Sequence, residues 1–249
     1  MVKPASGTAL NTSGTLYTGL NNWYGMLEGS GGTTADGKSS NTGTLDGTVT
    51  WTSDGDGPLL TCAGGVQVPI AISSVVLSAA GATDWSVAWR GQLANDDSHG
   101  GVLGKAGLNP QGAIMSGGIA LEWSNAAGAV ASFTGTTSFT TQRDYVLSAN
   151  AGAGQLHLYV NGVEDATSPV TIATGFEVTT LGNYYFAAFG LIGTLSYIGF
   201  WISRVLTAGE ALTLHTDPYG TMYTAPATPR NQIVSKPATM VYRSRWGHA

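Results

Sequence analysis

Short apolar runs with polar residues between them recur along most of the chain. TLDGTVTWTSD, PLLTCAG, VQVPIAI, WSVAWRGQL, GVLGKAG, GGIALEWS, GAVASFTG and YVLSANAG are rich in β-branched and aromatic residues and punctuated by Gly, Asn and Asp, the pattern of the strands of a sandwich. In QLHLYVNGVEDAT, Leu156, Leu158 and Val160 alternate with His157 and Tyr159. Asn161-Gly162 supplies positive φ at both turn positions, which predicts a type I′ hairpin. One face of such a strand is buried and the other is not, so two sheets packed face to face are expected rather than a sheet covered by helices on both sides. No repeat of fixed period argues for a propeller or solenoid.

Residues 193 to 219, GTLSYIGFWISRVLTAGEALTLHTDPY, predict a strand that runs directly into a helix. Leu195, Tyr197 and Gly199 alternate with Ser196 and Ile198, and Phe200, Trp201 and Ile202 prolong the run. Thr207 and Glu210 have the spacing of a capping box, in which each side chain satisfies the other residue's backbone N–H. Pro218 is expected to stop the helix, with Asp217 forced out of helical geometry before it. So short a helix has to dock on a sheet to be stable.

The flanks read differently. Residues 1–15 are small and polar and predict an N-terminal arm without a core of its own. A strand is expected around Asn22 to Leu27, followed by SGGTTADGKSSNTG, a loop too polar to bury. The domain spans 16–220, and 221–249 is an extended C-terminal arm, since Pro226, Pro229 and Pro237 forbid regular helix.

Composition narrows the reading. Of 249 residues 36 are Gly, yet 43% are hydrophobic, enough for one large all-β core. Only 10% are charged, a scarcity suited to a surface packed against neighbours. All 15 acidic residues lie at or before Asp217, and Arg230, Lys236, Arg243 and Arg245 follow it, so the body carries −9 and the tail +4. A net charge of −5 argues against nucleic acid as a partner. The single Cys62 excludes an internal disulfide framework. Neither a membrane-spanning run nor the apolar core of a signal peptide is expected.

The order of four segments resembles the concanavalin A-like, laminin G type jelly roll over roughly residues 16 to 220. They are NNWYGMLEGSGGTTADGKSSNTGTLDG, TDWSVAWRGQL, RDYVLSANAGAGQLHLYVNGVEDAT and IGFWISRVLTAGEALTLHTDPYG. The last, with its Asp-Pro-aromatic ending, resembles a variant found in tailed-phage virion proteins. The resemblance implies an all-β, two-sheet antiparallel sandwich with one short C-terminal helix. It also implies a Ca²⁺ site at the rim, for which Asp54, Asp56, Asp96 and Asp97 are the candidate ligands; local turns explain these acids equally well.

Catalytic residues are not expected. Paired acids for glycoside hydrolysis would have to be closely spaced, whereas Glu122 stands alone and Glu28, Glu164 and Glu177 lie near turns. Nucleophile, phosphate-binding and zinc motifs are absent from the sequence. Trp23, Trp51, Trp85, Trp89, Trp123, Tyr184, Tyr185 and Trp201 could stack on sugars, but their place inside strands favours core packing. His157 and His215 read as structural. The expectation is a non-enzymatic virion structural protein, a homo-oligomer that decorates a capsid. It would bind the major capsid protein or other virion proteins through Arg230, Ile233, Lys236, Met240, Tyr242, Arg243, Arg245 and Trp246. The alternative is a carbohydrate-binding module or host-recognition protein whose partner is a glycan.

Overall fold

The computed structural model describes residues 2–65, 68–78, 83–94, 100–105, 112–116, 120–124, 130–169, 176–183 and 190–224, with the backbone alone for the strands between 112 and 133. The fold is an all-β sandwich of two antiparallel sheets with a short helical cap. One sheet contains β1 (Leu20–Tyr24), β4 (Val49–Ser53), β5 (Pro58–Ala63), β7 (Trp85–Leu93), β12 (Arg143–Asn150), β13 (Gln155–Val160), β14 (Val163–Pro169) and β16 (Ile192–Ile202). The other contains β2 (Thr33–Ala35), β3 (Thr42–Leu45), β6 (Ile70–Ser78), β8 (Gly100–Gly104), β9 (Gly112–Ser116), β10 (Ala120–Ser124), β11 (Val130–Thr134) and β15 (Phe176–Leu181). Their orders are β14-β13-β12-β7-β16-β5-β4 and β11-β10-β9-β8-β15-β6-β3-β2.

The long strand β16 organises the first sheet. Along one edge it pairs with β7; along the other its first half pairs with β5 and its second half with β1. Alternation divides its neighbours cleanly. Trp85, Val87 and Trp89 of β7 and Tyr145, Leu147 and Ala149 of β12 belong to the core between the sheets. Ser86, Ala88 and Arg90, with Asp144, Val146 and Ser148, therefore point the other way.

That outer face is covered by a second core. Trp23, Tyr197 and Trp201 meet Leu206, α1 (Ala208–Thr216) and α2 (Pro218–Met222) there, with Leu10 and Leu16 from the N-terminal side. Two buried serines fasten the link between β16 and α1. The Ser86 hydroxyl accepts from the Leu206 N–H at 2.8 Å, and the Ser148 hydroxyl donates to the Leu206 carbonyl at 3.2 Å. The capping box at Thr207 and Glu210 is present. Pro218 ends α1 but also occupies the first turn of α2, where its missing N–H costs nothing.

Two flanking segments differ from the sequence expectation. Residues 2–15 lie along the chain's own sandwich. Leu10 is buried and bridges Tyr223, while the Thr224 N–H donates to the Ala9 carbonyl at 3.0 Å. The stretch expected as an unburied polar loop supplies the hairpin of β2 and β3, with Thr34 and Asp36 buried. The first arises because Leu10 joins the second core, and the second because buried Thr34 and Asp36 have hydrogen-bond partners, so polarity did not keep them outside.

Candidate functional site

Asp36 holds the β1 end of the sandwich together. Its Oδ1 accepts from the backbone N–H of Trp23 at 2.8 Å and of Lys38 at 2.9 Å. Its Oδ2 accepts from Asn22 Nδ2 at 2.7 Å and Ser39 Oγ at 2.6 Å. Four donors on one carboxylate fix the hairpin tip against β1. After β1 the chain turns through Gly25 and Met26, the latter buried at φ 51°. Glu28 then faces back, with Oε1 accepting from the Ala35 N–H at 2.9 Å and Oε2 from the Thr34 hydroxyl at 3.3 Å.

Between this turn and the N-terminal segment lies a pocket of about 380 Å³. Ser6, Gly7, Thr8 and Ala9 form one wall; Gly25 to Glu28 and Ala35 to Gly37 form the other, and Tyr223 contributes as well. The N-terminal wall is shaped by Thr8, whose N–H and hydroxyl both donate to the Ala5 carbonyl, and by Gly7 at φ 82°. The Tyr223 hydroxyl accepts from Trp23 Nε1 at 2.9 Å, and burial pushes its pKa up, so the phenol stays neutral. A Cβ on Gly25 would lie 2.1 Å from that hydroxyl, so only glycine lets tyrosine reach the tryptophan. The pocket thus offers a half-buried carboxylate, hydroxyls and peptide groups on rigid walls, within the size range of small-ligand sites.

A second polar group lies beneath the helical cap. Asp144, Arg90 and Tyr197 stand side by side across β12, β7 and β16. Arg90 donates to Asp144 Oδ2 at 3.0 Å and to Asp56 Oδ2 at 3.1 Å, and Tyr197 donates to Asp144 Oδ1 at 2.9 Å. His215 of α1 adds its Nδ1 to Asp144 Oδ2 at 3.0 Å. Burial pushes the Asp144 carboxyl up, opposed by Arg90 and by hydrogen bonds from His215 and Tyr197. Tyr197 is fully covered, packed against Trp23 and Tyr219, while His215 and Arg90 keep part of their surface in water. This is a structural network joining helix to sheet.

Asp54 and Asp56 do not fit a Ca²⁺ site. Asp54 Oδ1 accepts from the N–H of Asp56 and of Gly57 in a local turn, and Asp56 is bound to Arg90. Among the described residues no group of three His, Cys, Asp or Glu could hold a metal ion. Asp96 and Asp97 lie outside the described residues, as do Arg230, Ile233, Lys236, Met240, Tyr242, Arg243, Arg245, Trp246, Tyr184 and Tyr185. The side chains of Glu122 and Trp123 lie outside them too. Trp23, Trp85, Trp89 and Trp201 are core residues; half-buried Trp51 donates Nε1–H to the Gly31 carbonyl at 2.8 Å. Glu164 is bound to His157 at 2.7 Å, and Glu177 to Lys105 at 2.6 Å.

No protein-family model matches the chain, and no curated protein is found related to it. Solved structures do share its fold. The binding domain of Paraclostridial Mosquitocidal Protein 1 superposes with a TM-score of 0.61 at 12% identity, covering 81% of this chain and 52% of that one. The Botulinum Neurotoxin Type G receptor binding domain gives 0.56 at 10%, covering 79% and 51%. Trypanosoma rangeli sialidase in complex with sialic acid gives 0.55 at 14%, covering 89% and 36%. The chain therefore spans about half of the two toxin domains and about a third of the sialidase. What it shares with them is the β-sandwich fold.

Proposed function

We propose that this chain is a non-enzymatic binding module that recognises carbohydrate or a glycosylated receptor. The observation that carries the proposal is the likeness, over about four fifths of the chain, to domains named as the binding domain of one toxin and the receptor binding domain of another. The pocket beside β1 supports it. Glu28 and the hydroxyls of Ser6 and Thr8 offer hydrogen bonds to a polyol on preformed walls. Asp36, the neighbouring acid, spends both oxygens on four donors, so the paired free acids that glycoside hydrolysis needs do not meet here.

The full chain should bind a subset of glycans on an array and return them uncleaved. For the best of these, Glu28→Gln should weaken binding about tenfold, the loss of about 1.4 kcal/mol that one charged hydrogen bond supplies. An array without signal, or a Glu28→Gln protein of unchanged affinity, sinks the assignment of the pocket.

A virion role is a second reading, carried by the contrast between an acidic body and the +4 stretch after Asp217. Here the sandwich is an exposed body and the basic stretch docks on the major capsid protein. Because Met222 and Tyr223 are buried in the body, the truncation that tests this ends at Thr224 rather than at 220. The shortened chain should fold normally and be lost from purified particles; undiminished incorporation, read by mass spectrometry, removes this reading.

A further inference from the structure

Lys3 is 7% exposed, and its ammonium lies inside a ring of backbone carbonyls. Nζ donates to Pro58 O, to Ser196 O at 2.7 Å, and to Gly25 O and Met26 O at 3.4 Å each. The Tyr219 ring centroid is 5.3 Å away, close enough for a cation–π contact. These oxygens come from three places in the fold: the turn after β1, the first residue of β5, and the middle of β16. Ser196 falls where the register of β16 on β7 shifts between Leu195 and Tyr197, and such a bulge releases a carbonyl from the ladder. Two of the four carbonyls, those of Pro58 and Ser196, thus belong to strands of the sheet, and the other two to the turn after β1.

The approach to the ring is equally specific. The Lys3 N–H donates to the Asp56 carbonyl at 2.8 Å. A Cβ on Gly57, which sits at φ +140°, would lie 3.1 Å from the Lys3 Cβ. The acidic turn considered above as a Ca²⁺ site therefore admits the chain's own cation. Asp54, Asp56 and Glu28 offset part of the cost of burying the ammonium there beside Arg90.

We propose that these four carbonyls form a binding site for a monovalent cation of ammonium or potassium size, which the chain fills with the Lys3 side chain. A ring of carbonyl dipoles replaces the hydration shell of such an ion, whereas a divalent ion calls for carboxylate ligands of its own. The ion at this site also governs the neighbouring wall. Residues 6–9 follow directly from Lys3 and line the pocket, so occupancy of the ring by Lys3 holds that wall in place. The proposal is independent of what the pocket binds.

Lys3→Ala empties the ring without filling it, and Lys3→Met leaves an uncharged stem inside. At pH 6, Lys3→Ala should melt below the natural protein and recover most of the loss on addition of methylammonium, and part of it with potassium. Tetramethylammonium at the same ionic strength should restore nothing, because it is too large and has no N–H to donate. Neither the natural protein nor Lys3→Met should respond. Equal responses of Lys3→Ala to methylammonium and tetramethylammonium overturn the proposal. Should Lys3→Ala fail to fold, methylammonium should restore its sheet signal in circular dichroism, and failure to do so overturns it equally.

Discussion

A buried lysine is costly because its charged form loses water, and Lys3 shows the balance at a single residue. Burial lowers its pKa from 10.5 to about 7, reinforced by Arg90 and opposed by Asp54, Asp56 and Glu28. The unfolded chain keeps the ordinary lysine value, so between about pH 7 and 10.5 it binds a proton that the folded chain has released. Stability contributed by this residue therefore rises with pH across that window and is flat below it. In urea unfolding, the natural protein should gain on Lys3→Met by up to about 1.4 kcal/mol per pH unit between pH 7.5 and 10. A constant difference over that range would show that the ring holds the ammonium charged throughout. Nothing in the sequence around Lys3 signals this position: a lysine three residues from the start of a polar stretch reads as solvated. Only the strand bulge and the turn after β1, both tertiary features, create a place for it. Arg90 and Asp144 were closer to legible, since each shares the alternation phase of the small polar residues in its strand, Ser86 and Ser148.

At the scale of elements, local signals with a mechanism were the informative ones. The Asn161-Gly162 turn has φ of 51° and 78°, and the capping box at Thr207 forms with both of its hydrogen bonds. Each depends on groups only a few residues apart. The hairpin of β2 and β3 is the opposite case. It is built from Thr, Gly and Ser, and is ordered by Asp36, whose partners include Asn22 and Trp23 of another strand, a contact that neither hydrophobic alternation nor turn chemistry signals. The hairpin at Asn161-Gly162 also bears on α1. A Cβ on Gly162 would meet the Leu212 Cα at 2.5 Å, so turn and helix pack backbone to backbone. Gly162→Ala adds this clash to the left-handed strain and should cost about 3 kcal/mol in chemical denaturation. Gly152→Ala, in the open turn between β12 and β13, should change stability by less than about 0.5 kcal/mol. Similar values for the two would mean that the hairpin moves off the helix without penalty.

For the whole molecule, the all-β class and the two-sheet packing were readable because strand alternation is set by burial on one face. The site was not. Its walls are the first residues of the chain, the turn after β1 and Tyr223, joined only after folding. The carboxylates singled out for metal were those clustered in sequence, whereas Glu28 and Asp36 act where the fold brings them. Tyr223 reaches Trp23 across nearly the full length of the described chain.

The hydrogen bond between Thr224 and Ala9 has a topological consequence. It sets the two flanks of the sandwich, at Ala9 and Thr224, side by side. A unit of this kind can be inserted into an exposed turn of another protein, its entering and leaving strands side by side, without pulling the host apart.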